Sequence, residues 1–212
     1  GIQVDNEMSF FFRTSAYDQD YSKDSIRLYK KFLEEKYKEI KILNEKYKTN
    51  FSSFSEVEPP RDYCKEREKI YYHLDWCEFK EYYLIWAIEK IANMIRERGI
   101  SNIPIFHNYP TPFPNTPFNI IETEKKIDIQ AIDYYPTKEN YFHLKKGVSF
   151  VSTQSRLPFV AEFSSGFTFV GPPIFLEDQK FTTLSLFMHG IKAVNFYMIV
   201  ERERWYGSPI RR

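Results

Sequence analysis

Short apolar segments alternate with amphipathic segments along most of the chain, and this alternation restricts the fold more than any other feature of the sequence. Apolar runs that predict strands cover residues 2–4, 103–106, 127–132, 159–161 and 193–198. Segments with apolar residues at three- and four-residue steps predict helices over about 24–37, 40–47, 64–98, 139–152 and 178–189. Strands that alternate with helices in this way predict a parallel sheet built from βα units.

The longest predicted helix, over about 64–98, shows the pattern most clearly. Leu84, Ile88, Ile91 and Ile95 form one apolar stripe, and Gly99 follows the last turn. A glycine just after the final turn is a common helix end, because it adopts the left-handed backbone without a steric penalty. The next strand begins a few residues later, as expected for a helix that crosses back to the sheet.

The five strands leave two α/β architectures, a doubly wound sheet and a barrel. A nucleotide-binding doubly wound sheet needs a glycine-rich turn after a strand, and the sequence has none. Each predicted strand instead ends in polar or aromatic residues, as the strands of a (β/α)₈ barrel do where they carry the active site. Five strands are too few to close a barrel, so we expect a partial (β/α)₈ TIM barrel. The abrupt start at Gly1, without a methionine, is expected for a segment of a longer protein, with 1–212 forming one catalytic half-barrel.

The composition restricts the kinds of partner. Lys and Arg number 30 and Asp and Glu 29, giving a formal charge of +1, so nothing favours a nucleic-acid partner. Residues with apolar side chains form no run long enough to predict a membrane span. Cys64 and Cys77 have no CxxC spacing, and His73 alone adds too few ligands, so we expect no metal and two reduced thiols in a cytoplasmic protein. Aromatic residues make up 18% of the chain, enough either for core packing or for stacking on sugar rings.

Two glutamates stand directly after predicted strands. Glu7 follows the first strand and Glu162 follows the fourth. Retaining cleavage of a glycoside needs two carboxyl groups about 5–5.5 Å apart, one protonated and one ionised. Asn6 places an amide beside Glu7, suited to bind a sugar 2-hydroxyl, whereas Asp5 points elsewhere by strand alternation and is interpreted as structural. Glu162 follows an apolar run, where a buried charge is costly unless it is paired or functional.

Four segments of the chain resemble segments of clan A glycoside hydrolases. The segment 3–7, Gln-Val-Asp-Asn-Glu, resembles the fourth-strand acid/base segment of clan A glycoside hydrolases, and 161–167 resembles their seventh-strand nucleophile segment. The segment 188–198 is similar to the passage into the eighth strand of family 35 and family 42 β-galactosidases. The segment 33–60 is similar to the family 42 insertion after the fourth strand. The resemblance covers most of the chain and implies strands four to eight of the barrel.

The resemblance also implies roles for particular residues. Glu7 would be the general acid/base, Glu162 the nucleophile and Asn6 the partner of the 2-hydroxyl. Tyr134 or Tyr135 would match the tyrosine that donates a hydrogen bond to the nucleophile, although aromatic packing is an equal alternative. Further substrate contacts are expected from residues at the ends of the fifth and eighth strands: His107, Asn108, Asn195 and Trp205. For His107 a structural role is the stronger alternative. Trp205 would be an aromatic platform.

The sequence thus predicts a retaining β-glycosidase, in the first place a β-galactosidase, that requires neither a metal nor an organic cofactor. Another clan A β-glycosidase acting on glucosides, mannosides or xylosides remains open, as does a catalytically inactive barrel that binds glycans. Because the first three strands are missing, we expect the isolated chain to be inactive. Whether it forms a homo-oligomer is left open.

Overall fold

The computed structural model describes residues 1–10, 16–62, 66–110, 116–165 and 174–197. The chain divides into two units. The first unit comprises Gly1–Met8, Ala87–Pro114 and Asn119–Arg212, and the second comprises Ser9–Trp86 and Asn115–Phe118. Trp205 and Met198 of the sequence predictions lie outside the described residues, as does Cys64. No helix in the described ranges is long and apolar enough to span a membrane.

The first unit is built on a five-stranded parallel sheet. Its strands are β1 (Ile2–Gln3), β2 (Ile105–Pro110), β3 (Ile129–Tyr134), β4 (Phe159–Ser164) and β5 (Ala193–Tyr197). They hydrogen-bond in sequence order, β1-β2-β3-β4-β5, and every pair is parallel. The predicted partial (β/α)₈ barrel is therefore confirmed, with strands that correspond to roughly the fourth to the eighth.

Helices connect these strands, and the short helix before β3 was not predicted from the sequence. Among them, α4 (Ile120–Thr123) precedes β3, α5 (Tyr141–Gln154) precedes β4 and α6 (Leu176–Met188) precedes β5. Gly190, with φ of 101°, follows α6, and a Cβ there would lie 3.0 Å from the Cβ of Ser152 on α5. Glycine at this position therefore allows both the left-handed turn and the close approach of the two helices.

The strands run further than the sequence predicted. β2, β3 and β4 end at Pro110, Tyr134 and Ser164, whereas the apolar runs end at residues 106, 132 and 161. The reason is that Asn108, Asp133 and Glu162 stay within the strands although their side chains are polar. On each strand the apolar run ends before this polar residue, but the backbone hydrogen bonds to the neighbouring strand continue past the end of the run.

The longest helix, α3 (Ile70–Glu97), starts six residues later than predicted. Glu66 has an extended backbone and a 3₁₀ turn, Arg67–Lys69, follows it, so the helix does not continue back to residue 64. Its buried side also differs from the predicted stripe. Ile88 and Ala92 are fully buried, whereas Ile91 is exposed.

The second unit has an aromatic core. It contains α1 (Lys23–Tyr37), α2 (Ile40–Tyr47) and α3 as far as Trp86. Trp76 lies edge-on to Tyr29 at 5.0 Å between ring centroids and stacks on Phe79 at 5.3 Å. Leu33 and Leu43 fill the same cluster with no exposed surface. In this unit the excess of aromatic residues serves core packing.

One buried carboxylate organises the polar part of that core. Asp75, 3% exposed, accepts hydrogen bonds from the hydroxyls of Tyr37 at 2.5 Å and Tyr47 at 2.7 Å. The ammonium group of Lys36 lies 2.9 Å from its other oxygen. Because each oxygen of the carboxylate has a partner, its burial does not leave an uncompensated charge.

We expect Leu33→Ala to destabilise the second unit by about 2–5 kcal/mol, because it leaves a cavity in a core where Leu33 has no exposed surface. Leu74→Ala is the matched control: Leu74 belongs to the same unit and is 48% exposed, so its loss should cost less than about 0.5 kcal/mol. Amide hydrogen exchange in α1 and α2 of the full-length protein measures both. Equal protection in the two variants would contradict this core.

Candidate active site

The candidate site lies where the strands of the first unit end. β1 is only two residues long, and Val4 continues its pairing by donating its N–H to the carbonyl of Phe106 at 2.8 Å. The chain then turns sharply, with Asp5 and Glu7 in the left-handed region at φ of 57° and 50°. The carboxylate of Asp5 accepts the N–H of Asn6 at 2.8 Å, which supports the turn. Asp5 thus has the structural role that its sequence position predicts.

Asn108 on β2 holds the residues around this turn. Its Oδ1 accepts hydrogen bonds from Nε2 of Gln3 at 2.8 Å and from the backbone N–H of Glu7 at 3.2 Å. Its Nδ2 donates to Oδ1 of Asn6 at 3.0 Å and to Oδ2 of Asp133 at 2.5 Å. Asn108 has no exposed surface, so it is a buried link between the turn and the sheet.

Glu162 enters the same network from β4. Its Oε1 lies 3.4 Å from Nδ2 of Asn108, and its Oε2 accepts a hydrogen bond from the hydroxyl of Tyr135. Tyr135 follows the last residue of β3, and its ring lies edge-on to Tyr197 of β5 at 6.4 Å. The two glutamates predicted from the sequence thus lie at the same edge of the sheet.

Asp133 is a third carboxyl at this edge, which the sequence prediction did not include. The ladder between β3 and β4 shifts after Ile132, which pairs with Val160, so that Asp133 pairs with Glu162. A bulge of this kind redirects a side chain at the end of a strand. Asp133 follows an apolar run just as Glu162 does, and that same signal identifies it as a buried polar residue.

The three carboxyls influence one another. Burial raises the pKa of Glu7 above its ordinary value, and the charge of Glu162 raises this pKa further. Burial is also the main cause that raises the pKa of Asp133 to about 9, followed by the charges of Glu162 and Glu7. A hydrogen bond between Asp133 and Glu7 acts in the opposite direction on Glu7, since it lowers the pKa of that residue. The pKa values of Glu7 and Asp133 are therefore both shifted toward the protonated form.

Other residues predicted for the site lie elsewhere or have other partners. Tyr134 is buried, and its hydroxyl lies 3.3 Å from Nδ1 of His143 on α5, so it faces the helices. His107 is fully buried and donates from Nδ1 to the carbonyl of Val4 at 2.6 Å. Burial lowers the pKa of His107 to about 4, which favours the structural interpretation of this residue. Asn195 donates to the carbonyl of Ala161 at 3.0 Å and thereby joins β5 to β4.

The described residues contain no group of three or more His, Cys, Asp and Glu side chains that is arranged to hold a metal ion. Cys77, a free thiol, is partly buried in the second unit, and burial raises its pKa to about 11.

Comparison with known proteins identifies the family. The family model described as beta-galactosidase, glycoside hydrolase family 42, matches residues 1–204. The chain belongs to glycoside hydrolase family 42. The match spans both units and includes Glu7, Asn108, Asp133 and Glu162, so the resemblance inferred from the sequence motifs is confirmed.

Two curated relatives carry other activities in their names. A β-1,2-glucosyltransferase from Ignavibacterium album is 28% identical over 93% of this chain, and an exo-β-D-glucosaminidase from Pyrococcus horikoshii is 24% identical over 98%. The chain covers 29% and 28% of these relatives, so it spans less than a third of their length.

Solved structures show the same fold at low identity. The β-galactosidase of Bacillus circulans sp. alkalophilus aligns over 92% of this chain and 30% of its own, with a TM-score of 0.72 and 17% identity. The β-galactosidase of the haloarchaeon Halorubrum lacusprofundi aligns over 84% and 30%, with a TM-score of 0.67 and 17% identity.

We expect Glu162→Gln to lower the pKa of Glu7 in this family 42 chain, because the substitution removes one of the two causes that raise it. The pKa should stay above its ordinary value, since burial, the larger cause, remains. Carbon NMR titration of glutamate carboxyls in the full-length protein, assigned with Glu7→Gln, measures the change. Glu177→Gln on α6 is the control and should leave Glu7 unaffected. If the pKa of Glu7 were the same in Glu162→Gln as in the wild type, the two carboxyls would not interact.

Proposed function

We propose that the full-length protein is a retaining β-glycosidase, in the first place a β-galactosidase, in which Glu7 is the acid/base and Glu162 the nucleophile. The observation that carries this proposal is the placement of both glutamates at one edge of the sheet, where burial and then the charge of Glu162 raise the pKa of Glu7. A raised pKa favours the protonated form of a glutamate, as a general acid requires, and double displacement needs a second carboxyl beside it to attack.

In the first step, an oxygen of Glu162 forms a bond to the anomeric carbon of the sugar. The bond from that carbon to the glycosidic oxygen breaks, and the proton of Glu7 moves to the departing oxygen. The products are a glycosyl ester on Glu162, a free alcohol and ionised Glu7. Because the ester carries no charge, one of the causes that raise the pKa of Glu7 disappears, and Glu7 is then suited to act as a base.

In the second step, a water oxygen attacks the same carbon and gives a proton to Glu7. The ester bond breaks, which restores the Glu162 carboxylate and releases the sugar with its original anomeric configuration. The hydrogen bond from Tyr135 holds Oε2 of Glu162 in place in the free enzyme. Asn6, held by Asn108, lies beside Glu7 and is our candidate for the sugar 2-hydroxyl.

A second candidate function is glycosyl transfer or hydrolysis of gluco-configured sugars. The β-1,2-glucosyltransferase and the exo-β-D-glucosaminidase are 28% and 24% identical to this chain, whereas the two β-galactosidase structures described above are 17% identical to it. A transferase would keep the same two glutamates and replace the water of the second step with a sugar hydroxyl. A catalytically inactive barrel that binds glycans is the third alternative.

We also propose that residues 1–212 form the second half of a catalytic barrel in a longer, cytoplasmic chain. In the described sheet, β1 and β5 each have one neighbouring strand, whereas each strand of a closed barrel has two. The isolated half-barrel would lack part of the wall that orients a sugar. We therefore expect it to be inactive by itself.

A panel of aryl β-glycosides tests the reaction, with galactoside, glucoside, glucosaminide, mannoside and xyloside as substrates for the full-length protein. We expect cleavage of the galactoside with retention, seen as the first-formed anomer by proton NMR. Glu162→Ala should lower kcat/KM by roughly 10⁴-fold or more, because the nucleophile is lost. The exposed Glu177→Ala is the control and should behave as wild type.

The other outcomes of this panel are equally informative. Cleavage of the glucoside or glucosaminide would change the assigned substrate and leave the proposed roles of the two glutamates intact. A new disaccharide formed when a sugar acceptor is added would do the same for the acceptor. An inverted product would contradict the nucleophile role of Glu162. A folded protein that cleaves none of these glycosides would favour the glycan-binding alternative.

Two adjacent tyrosines provide a matched pair for the hydrogen bond to Glu162. Tyr135→Phe removes a hydrogen bond to a charged group, worth about 1.5–3 kcal/mol, and should lower kcat about 10- to 100-fold. Tyr134→Phe removes a hydroxyl that faces His143 instead, so kcat should change less than about threefold. Steady-state kinetics on the best substrate of the panel compares them. Equal losses would contradict the assignment of Tyr135.

A further inference from the structure

Asp133 is a buried carboxyl that the two steps of double displacement do not use. Its side chain is 1% exposed, and the bulge in the ladder places it opposite Glu162 on the neighbouring strand. Nδ2 of Asn108 donates to its Oδ2 at 2.5 Å, and a further hydrogen bond joins it to Glu7. Asn108 also holds the backbone N–H of Glu7, so Asp133 lies in one network with the acid/base and beside the nucleophile.

The surroundings of Asp133 disfavour its ionised form. Glu7 faces Asp133 from the turn after β1, and Glu162 faces it from β4. Tyr135 comes two residues later in the chain, just after the end of β3. Glu162 adds negative charge in the free enzyme and Glu7 adds it once Glu7 is ionised, while Asn108, from β2, is uncharged. A carboxyl so deeply buried next to two others is much more stable as a neutral acid, as in other sites where adjacent carboxyls share protons. The raised pKa of Asp133, about 9, agrees with this argument.

We propose that Asp133 is a positioning residue that remains a neutral carboxylic acid and donates its proton in a hydrogen bond to one oxygen of Glu7 throughout the reaction. This inference rests on the proposed function, because it assigns Asp133 a role toward the acid/base. Asp133 neither gains nor loses a proton in either step, so the proton balance of the two steps is unchanged.

The geometry gives this hydrogen bond a consequence for Glu7. Oδ2 of Asp133 accepts from Asn108, which leaves the protonated oxygen of Asp133 to donate. The carbonyl oxygen of a protonated carboxyl is a better hydrogen-bond acceptor than its hydroxyl oxygen. This hydrogen bond therefore favours the catalytic proton on the other oxygen of Glu7. After the first step, the same hydrogen bond stabilises the Glu7 carboxylate while it waits for water.

Infrared spectroscopy tests the protonation of Asp133 without any substrate. The difference spectrum between wild type and Asp133→Asn, taken at pH 7 on the full-length protein, should show the loss of the C=O stretch of a protonated carboxylic acid. Loss of an ionised carboxylate band instead would overturn the proposal. This measurement remains valid if no glycoside is cleaved, so it separates failure of this inference from failure of the proposed function.

The pH dependence of kcat/KM tests the role toward Glu7. Asparagine keeps a neutral donor and an acceptor in the same places, so Asp133→Asn should leave the alkaline limb of the profile unmoved. Its kcat/KM should fall about threefold to tenfold, because an amide is a weaker donor than a carboxylic acid. If Asp133 were ionised, its replacement by asparagine would remove a negative charge and move the alkaline limb to lower pH. That shift would overturn the proposal.

Asp133→Leu removes the donor altogether and should lower kcat/KM about 10- to 100-fold. It should also move the alkaline limb to higher pH, because the hydrogen bond that lowers the pKa of Glu7 is lost. A purely structural role would lower activity in Asp133→Leu without moving the limb, and that result would also overturn the proposal. Circular dichroism checks the fold of this variant, and the asparagine variant decides the question if leucine prevents folding.

Discussion

The carboxamide of Asn108 is buried without access to water, and the arrangement of the site depends on it. An amide in such a place must find all of its hydrogen-bond partners within the protein, because each unsatisfied group costs free energy. Asn108 finds them in the turn after β1, on β3 and on β4. The uncharged amide of Asn108 thereby contacts the carboxyls of Asp133 and Glu162 and the backbone N–H of Glu7, where β1, β3 and β4 end.

This network explains why two irregular features of the backbone occur where they do. The left-handed residues Asp5 and Glu7 turn the chain so that the Glu7 N–H reaches Asn108. The shifted ladder between β3 and β4 brings Asp133 opposite Glu162. Non-glycine residues in the left-handed region carry a cost of order 1 kcal/mol, and such costs concentrate at functional sites. Both irregularities serve the same edge of the sheet.

The second unit follows a different physical logic from the sheet. Its core is a set of aromatic rings in mutual contact around Leu33 and Leu43. The buried carboxylate of Asp75 is compensated there by two tyrosine hydroxyls and a lysine. At the sheet edge, by contrast, the partner of each carboxyl is another carboxyl, an amide or a tyrosine. Burial beside other carboxyls raises the pKa values of Glu7 and Asp133. The two environments therefore suit a structural and a catalytic role.

The sequence by itself determined the order of the elements and the two glutamates at strand ends, because both follow from local patterns of apolar and polar residues. The family resemblance also implied that Tyr134 or Tyr135 donates a hydrogen bond to Glu162, without choosing between them and with aromatic packing as an equal alternative. The tertiary structure separated them by direction, one toward α5 and the other toward Glu162. It alone placed Asp133 beside Glu7 and Glu162, since a one-residue shift between two strands has no local signature in either strand. Register is decided by packing across the sheet, and no pattern within a single strand records it.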